Sequence, residues 1–352
     1  MTLFHELILV SLGRRESLSV QPTDAQWEEI IATAKKQALL GMLMPAVEKA
    51  VEAGSNGLYP KPVKQIMAVS MMLESRNAVM NDRAASLTQT FAEAGFRTCI
   101  LKGQGNALLY PRPSLRQCGD IDIWVDGSRK EVLEFLRPRY PVKLPTYHHV
   151  EVRFFGDAPV EVHYRPTWFY SPLRNSRFEK WIASCRDAQF SGPATAGGFN
   201  VPTPEFNLVF NLIHIFRHMF DEGVGLRQLL DYYYILSAST PEQRAAALNV
   251  LETLGLRKFA GAIMYVESEF FEADALLCEP DAERGPRVLE EINRTGNFGL
   301  YDSRNAHSRG ESQFHRFLRR MKGPVRLFLL APDEALWAPL WKAWHIMARK
   351  MY

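Results

Sequence analysis

The sequence predicts an α+β fold, in which a small mixed sheet is flanked by an N-terminal and a C-terminal helical region. Residues 1–96 and 166–352 carry apolar residues at helical spacing, whereas residues 97–165 carry short apolar runs separated by turns. The central stretch is too short for a doubly wound dinucleotide-binding domain, and it contains no G-x-G-x-x-G motif. We therefore expect three regions, 1–96, 97–165 and 166–352.

The N-terminal region is predicted to be helical throughout. Thr23 or Asp24 caps a helix in which apolar residues recur with a helical period. A longer helix is expected to begin at Pro60–Pro62 and to end near Gly95, because proline suits a helix start and glycine a helix end.

Two short strands and two aspartates open the central region. Residues 98–101 form an apolar run that ends in a turn at Lys102–Gly105, and a second strand follows at Gly119–Val125. Because strand side chains alternate between faces, Asp120 and Asp122 point the same way. Two adjacent carboxylates repel each other, and a divalent cation offsets that cost. Mg²⁺, which binds carboxylates together with phosphate oxygens, is the expected ion.

A hairpin supplies a third carboxylate. Residues 147–155 and 160–164 alternate as strands do, and Gly156–Pro159 forms the turn between them. If this hairpin lies beside the aspartate strand, Glu161 reaches the same face, which is an arrangement typical of two-metal phosphoryl transfer. His163 shares the face of Glu161, so it either contacts phosphate, orients Glu161 or is an ordinary hydrogen-bonded histidine.

The residues around these carboxylates form a wider pattern: Leu101-Lys102-Gly103, Tyr110-Pro111, Arg116, Gly119-Asp120-Ile121-Asp122 and Val160-Glu161-Val162-His163. This pattern resembles the polymerase-β-type nucleotidyltransferase superfamily. It is most similar to a bacterial nucleotidyltransferase-like family with an LKG…R…GDID signature. The resemblance implies a nucleotidyltransferase core at 97–165 and an enzyme that moves a nucleotidyl group from an NTP, with ATP expected, to an acceptor. It also implies that Asp120, Asp122 and Glu161 are catalytic and hold Mg²⁺ or Mn²⁺.

The same resemblance implies a nucleotide-binding role for Lys102, Gly103, Gln104 and Arg116. Each has a simpler explanation as well: Lys102 as a solvated turn residue, Gly103 as a turn with positive φ, and Arg116 as the partner of an aspartate. Gln104 stands where the superfamily has serine or glycine. That difference favours the alternative function, a catalytically silent nucleotide-binding or protein-interaction module of the same fold.

The C-terminal region is predicted to return to helix. A helix that begins at Thr203-Pro204 carries His214 and His218 one turn apart, as possible pocket residues, without the glutamate of an H-E-x-x-H zinc motif. On the next helix Arg227 and Asp231 are expected to form a helix-face pair. The remaining expectations are a long loop at 273–311, a basic helix at 311–321 and an amphipathic helix at 332–351.

Composition limits the function classes. Hydrophobic residues make up 47% of the 352 residues, which is ordinary for a protein with a sizeable core, and the net charge of +3 gives no strong nucleic-acid signal. The four cysteines are widely spaced, which argues against a disulfide framework and a structural zinc site. No apolar run reaches membrane-spanning length, so the cytoplasm is the expected compartment. The acceptor stays open between a small molecule, a protein and an RNA end.

Overall fold

A four-stranded mixed sheet lies at the centre of the computed structural model, which describes residues 1–52, 61–192, 194–302, 304, 328 and 330–350. The strands are β1 (Thr98–Ile100), β2 (Ile121–Val125), β3 (His149–Val152) and β4 (Val160–His163). Their order is β1-β2-β4-β3. The central pair β2 and β4 is parallel, and both outer pairs are antiparallel. The predicted hairpin has therefore formed, and its second strand lies beside the aspartate strand.

Helices precede, interrupt and follow this sheet, which confirms the predicted α+β class. In the described parts of the chain the α-helices are α1 (Leu3–Ser11), α2 (Asp24–Gln37), α3 (Met44–Glu52), α4 (Lys61–Glu93), α5 (Gln104–Ala107), α6 (Arg129–Leu136), α7 (Pro172–Phe190), α8 (Pro204–Asp221), α9 (Leu226–Ser237), α10 (Pro241–Thr253), α11 (Arg257–Phe271), α12 (Gly285–Thr295) and a C-terminal helix, Pro332–Lys350. Short 3₁₀ turns occur at Leu40–Leu43, Pro113–Leu115 and Asn297–Gly299.

Local side-chain hydrogen bonds explain several helix starts. Ser128 and Glu131 form a reciprocal capping box at the beginning of α6, and the Thr203 side chain accepts the backbone N–H of Phe206 at the beginning of α8. Pro204 occupies the first turn of α8, where its missing N–H costs nothing. The predicted beginning of α8 at Thr203-Pro204 is confirmed.

The sheet has one apolar face and one polar face because its strand residues alternate. On the apolar face, valines and isoleucines of all four strands pack in a buried cluster with Phe91 of α4 and Leu136 of α6. The opposite face carries the acidic and histidine side chains of β2 and β4, together with Trp124, which packs against Phe190 and Phe206. Burial of the first face thus decides which way the functional side chains point.

Helices from the beginning and the end of the chain share a second core. Leu7 and Ile30 belong to the same buried cluster as Phe216 and Phe259. Gln37 links the two regions, since its side chain accepts a hydrogen bond from the N–H of Leu226 at 2.9 Å and donates to a carbonyl of α12. The C-terminal helices are therefore held against the N-terminal ones, and α8 and α9 are presented to the sheet.

The C-terminal region contains a helix where the sequence predicts a loop. The predicted loop at 273–311 is wrong in part, because α12 forms there and buries Val288 and Ile292. Its buried residues Gly285, Val288, Ile292 and Thr295 follow a helical spacing that is present in the sequence, although the helix was not predicted from it. The predicted basic helix at 311–321 lies outside the described residues. Within the described residues, no helix combines the length and apolarity needed to cross a membrane.

Candidate active site

The acidic residues meet at the junction of β2 and β4. Asp122 and Glu161 are directly opposite each other on these parallel strands, so both side chains project from the same face. Asp120 precedes β2 by one residue and alternates with Asp122. Ligand atoms of Asp122, Glu161 and His163 all lie within 4.8 Å of one another. The sheet register therefore brings Glu161 to Asp122, as the hairpin suggested. Asp120 is not part of this close group, but it lines the same cleft as Asp122.

Asp122 is compensated by two cationic groups. Its Oδ1 atom lies 3.0 Å from Lys102 Nζ and 3.0 Å from His163 Nε2. Burial acts to raise the pKa of Asp122, but Lys102 and His163 outweigh it and hold that pKa below its usual range. Burial likewise disfavours the charged form of His163, yet hydrogen bonds to Asp122 and Glu161 raise the pKa of His163 to about 9. This arrangement keeps His163 protonated and Asp122 ionised at neutral pH.

Asp120 has the opposite electrostatic surroundings. The neighbouring Asp122 and burial together raise the pKa of Asp120 to about 6, although Lys102 opposes them. The raised pKa reports negative charge that the surrounding cations do not fully compensate. Asp120 lines the same cleft as Asp122, and Glu161 lies opposite Asp122, so the site offers the carboxylate oxygens that suit Mg²⁺ or Mn²⁺.

The turn after β1 brings Lys102 to the acids. Gly103 has φ 52° and ψ −108°, a conformation that residues with a side chain rarely adopt. A Cβ atom at Gly103 would also lie 3.4 Å from the carbonyl oxygen of Asp120. Gln104 is buried at the beginning of α5, and within the described structure its side-chain amide has no hydrogen-bond partner and does not line the cleft beside the acids. Its nucleotide-binding role remains a prediction.

A closed ring of three asparagines holds this turn against α8. Asn106 donates to Asn211 Oδ1 at 2.8 Å, Asn211 donates to Asn207 Oδ1 at 2.6 Å, and Asn207 donates to Asn106 Oδ1 at 3.2 Å. All three side chains are buried, so each amide depends on the other two for its partner. This ring was not predicted from the sequence, because no local sequence pattern links Asn106 to residues on a helix about a hundred positions later.

Arg116 forms an ion pair with Asp231 of α9. Its Nε and Nη2 atoms each lie 2.7 Å from a carboxylate oxygen of Asp231, and Tyr110 Oη donates to the same carboxylate at 2.6 Å. The expected helix-face pair between Arg227 and Asp231 is therefore wrong, since the nearer guanidinium is that of Arg116. A nucleotide contact by Arg116 remains a prediction, but all three of its guanidinium nitrogens already have a partner, since Nη1 donates to the carbonyl of Gln117 at 3.4 Å.

Arg227, which was expected to pair with Asp231, is a cation of the cleft instead. It is buried, lines the cleft and donates to the carbonyl of Gln117 at 3.2 Å. Among the described residues, no carboxylate oxygen lies within 4.0 Å of its guanidinium. Burial and the nearby charge of Arg116 lower the pKa of Arg227. A buried guanidinium without a paired carboxylate is suited to an anionic ligand.

The two helical histidines differ in position. His214 lines the cleft, and its Nε2 lies 3.4 Å from Lys102 Nζ. Burial and the charge of Lys102 lower the pKa of His214 well below its usual range, so it is neutral. His218 does not line the cleft and instead places Nδ1 3.3 Å from Glu222.

The cleft between these groups is narrow. It lies between the turn at Lys102, the residues before β2, helices α8 and α9, and Phe298, and its volume is about 30 Å³. Sites for small molecules usually measure about 300–1,000 Å³, so a nucleoside triphosphate requires the cleft to widen. Phe298, one of the lining residues, lies in a 3₁₀ turn with φ 53° and packs its ring against Arg227.

Comparisons with known proteins bear on this site. Residues 23–272 match the model of a family described as "Uncharacterised nucleotidyltransferase". No curated protein matches the chain. Among solved structures, the chain is similar to an antigenic nucleotidyltransferase-like protein from Paracoccidioides brasiliensis, with 12% sequence identity, a TM-score of 0.30, and coverage of 56% of this chain and 93% of that chain. The matched range 23–272 contains all four strands and every candidate site residue predicted from the sequence.

Proposed function

Because the chain belongs to the uncharacterised nucleotidyltransferase family, we propose that it transfers a nucleotidyl group from an NTP to an acceptor in a reaction that requires Mg²⁺ or Mn²⁺. The family membership confirms the resemblance expected from the sequence. One structural observation supports the proposal in addition to family membership. Asp122 and Glu161 are opposite each other on parallel strands, and Asp120 lines the same cleft as Asp122.

In this proposal the three carboxylates hold the metal. When bound, the ion would neutralise charge on the triphosphate and on the leaving pyrophosphate. Asp122 lines the cleft and has only 2% of its side chain exposed, whereas Glu161 does not line the cleft and has 24% exposed, so Glu161 is the more accessible of the two to a group outside the cleft. We assign Glu161 the additional task of accepting the proton of the acceptor hydroxyl.

The cationic groups bind the phosphates. Arg227 has no paired carboxylate among the described residues and lines the cleft, which supports a contact with the triphosphate. Lys102 now compensates the charge of Asp122, and it becomes available to phosphate once another cation compensates that carboxylate. The backbone at Gly103 can approach a phosphate closely because no side chain intervenes.

A silent module of the same fold is the second candidate. The narrow cleft favours it, and so do the ion pairs Lys102–Asp122 and Arg116–Asp231, in which charged groups of the site already satisfy each other. A silent module needs neither metal nor NTP to compensate these charges.

Label transfer separates the two candidates. The purified protein is incubated with each α-labelled NTP, Mg²⁺ or Mn²⁺, and cell extract, and the labelled product is identified. Asp120→Asn should abolish most of the transfer, by about a hundredfold or more, since a metal contributes several kcal/mol to phosphoryl transfer. Asp157→Asn is the matched control, because Asp157 lies in the exposed hairpin turn and pairs with Arg83.

The result that contradicts an enzyme is specific. If the parent protein transfers no label from any NTP but is stabilised against heat by an NTP with Mg²⁺, the silent nucleotide-binding module is correct. If the NTP gives no stabilisation either, the cleft does not bind nucleotides and the proposal fails.

A further inference from the structure

Three histidines and one of the acids form a second donor group on the same face of the sheet. Antiparallel pairing of β3 with β4 places His149 opposite His163, and His148 immediately precedes β3. Ligand atoms of His148, His149 and His163 all lie within 4.8 Å of one another. We propose that these histidines, with Glu161, bind a divalent transition-metal ion of the zinc class. The proposal does not depend on nucleotidyl transfer.

The distances between ligand atoms fit such an ion. A tetrahedral zinc with bonds of about 2.0–2.1 Å keeps its ligand atoms about 3.4 Å apart. Glu161 Oε2 lies 3.5 Å from His149 Nδ1 and 3.4 Å from His163 Nε2. His148 Nε2 lies 2.8 Å from His149 Nδ1, so these two nitrogens must separate by about 0.6 Å to reach the ligand spacing of a tetrahedral ion.

Partners on the far sides of two rings orient them for binding. His163 Nδ1 lies 3.3 Å from the carbonyl oxygen of Arg165, and His148 Nδ1 lies 3.3 Å from Thr146 Oγ1. A metal-bound histidine usually donates its other N–H to an oxygen in this way. The remaining nitrogens, His163 Nε2 and His148 Nε2, now contact Asp122 and His149, and they would exchange these contacts for the ion. The ring of Trp168 packs 4.1 Å from that of His148 and limits its rotation.

The composition of the group decides which ion it prefers. Imidazole nitrogens suit Zn²⁺ and other first-row transition metals, whereas Mg²⁺ prefers oxygen ligands in an octahedral arrangement. Three nitrogens and one carboxylate therefore select a different class of ion from the three carboxylates of the proposed active site. Glu161 belongs to both groups, and His163 also contacts Asp122 at 3.0 Å, whereas His148 and His149 belong only to the histidine group. Its partial exposure gives an ion a path to the site.

Metal binding by the full chain, without nucleotide, tests the proposal. The protein is freed of metal with a chelator and titrated with Zn²⁺ in competition with a chromophoric indicator, in excess Mg²⁺. We expect one equivalent of Zn²⁺ per chain. Replacement of Zn²⁺ by Co²⁺ should give the intense visible absorption of a tetrahedral ion.

Variants identify the ligands. His148→Asn and His149→Asn should each weaken Zn²⁺ binding by about a hundredfold, since even partners of metal ligands contribute 10–100-fold. His218→Asn is the matched control and should bind Zn²⁺ like the parent, because His218 lies on α8 outside the group. Circular dichroism shows whether each variant is folded.

Three results would overturn the proposal: less than one Zn²⁺ bound by the parent, a weak octahedral Co²⁺ spectrum, or unchanged affinity in both folded variants. The Co²⁺ spectrum of the parent decides the matter even if a variant fails to fold. A parent that binds Zn²⁺ but transfers no label would contradict the proposed enzyme and leave the zinc-class site standing.

Discussion

Asp122 raises the pKa of Asp120 to about 6. The two aspartates alternate on one face of the sheet, yet Lys102 and His163 compensate Asp122 at 3.0 Å each, while Asp120 keeps uncompensated charge. Two residues that are equivalent in the sequence pattern are therefore opposite in their electrostatic effect on the fold.

Asp120→Asn should stabilise the metal-free protein above pH 7. A carboxyl whose pKa is raised in the folded state lowers stability as pH rises from about 4 to about 6, because the unfolded chain loses that proton first. Removing the charge should add on the order of 1 kcal/mol at pH 8 and nothing below pH 4. Urea unfolding in EDTA at both pH values measures this. A variant that unfolds more easily at pH 8 would show that Asp120 is a structural hydrogen-bonding residue.

Asp122→Asn should have the opposite effect. The substitution leaves the buried His163 and the largely buried Lys102 without the carboxylate that compensates both. Breaking a buried pair typically costs about 3–5 kcal/mol, so the loss should be of that order at pH 7. Urea unfolding of the Asp122→Asn and Asp120→Asn variants under the same conditions compares their free energies of unfolding. Equal stability of the two variants would contradict the assigned difference between the two aspartates.

His163→Gln should matter less as pH rises. The folded-state pKa of His163 is raised to about 9, so its ion pairs contribute fully below pH 6.5, the ordinary histidine value, and are lost as pH passes through 9. The difference in unfolding free energy between parent and variant should shrink by on the order of 2 kcal/mol between pH 6 and pH 9.5. The measurement is urea unfolding of the metal-free proteins. A difference that is constant with pH would mean that His163 is neutral in the folded protein.

Arg227→Met and Arg116→Met should separate binding from folding. Arg227 has no paired carboxylate within the described part of the chain, so its loss should preserve the fold. It should weaken the affinity for an NTP with Mg²⁺ at least tenfold and so reduce the rise in melting temperature that the nucleotide causes. Arg116→Met leaves Asp231 buried without its partner and should cost about 3–5 kcal/mol in unfolding free energy. Melting temperatures with and without nucleotide measure both effects. Full nucleotide stabilisation in Arg227→Met would remove that residue from the phosphate site.

Asn211→Ala should destabilise the protein by about 1–3 kcal/mol, because it leaves buried amide groups of Asn106 and Asn207 without partners. Asn249→Ala is the matched control, since Asn249 is exposed on α10 and should tolerate the change. Thermal unfolding of both variants is the measurement. Equal melting temperatures would show that the asparagine ring does not hold α5 against α8.

Much of the sheet was predictable from local pattern. The alternation around Asp120 and Asp122 and the glycine turn of the hairpin required only the period of a strand. The register was within reach too, since a turn centred on Gly156 places residue 149 opposite residue 163. This register places His149 beside His163 on the acidic face, a placement that was not predicted from the sequence.

The sequence by itself determined the α+β class, the shared face of the acids and the family resemblance, because each depends on residues that are close in the chain or joined by one turn. Only the tertiary structure decided that Arg116 forms an ion pair with Asp231, which lies 115 positions later in the chain. The tertiary structure likewise decided that Arg227 has no paired carboxylate among the described residues. It also decided the contact of Lys102 with His214, 112 positions away. The physical reason is that a strand or helix period fixes which way a side chain points, whereas packing of α8 and α9 on the sheet selects what it meets.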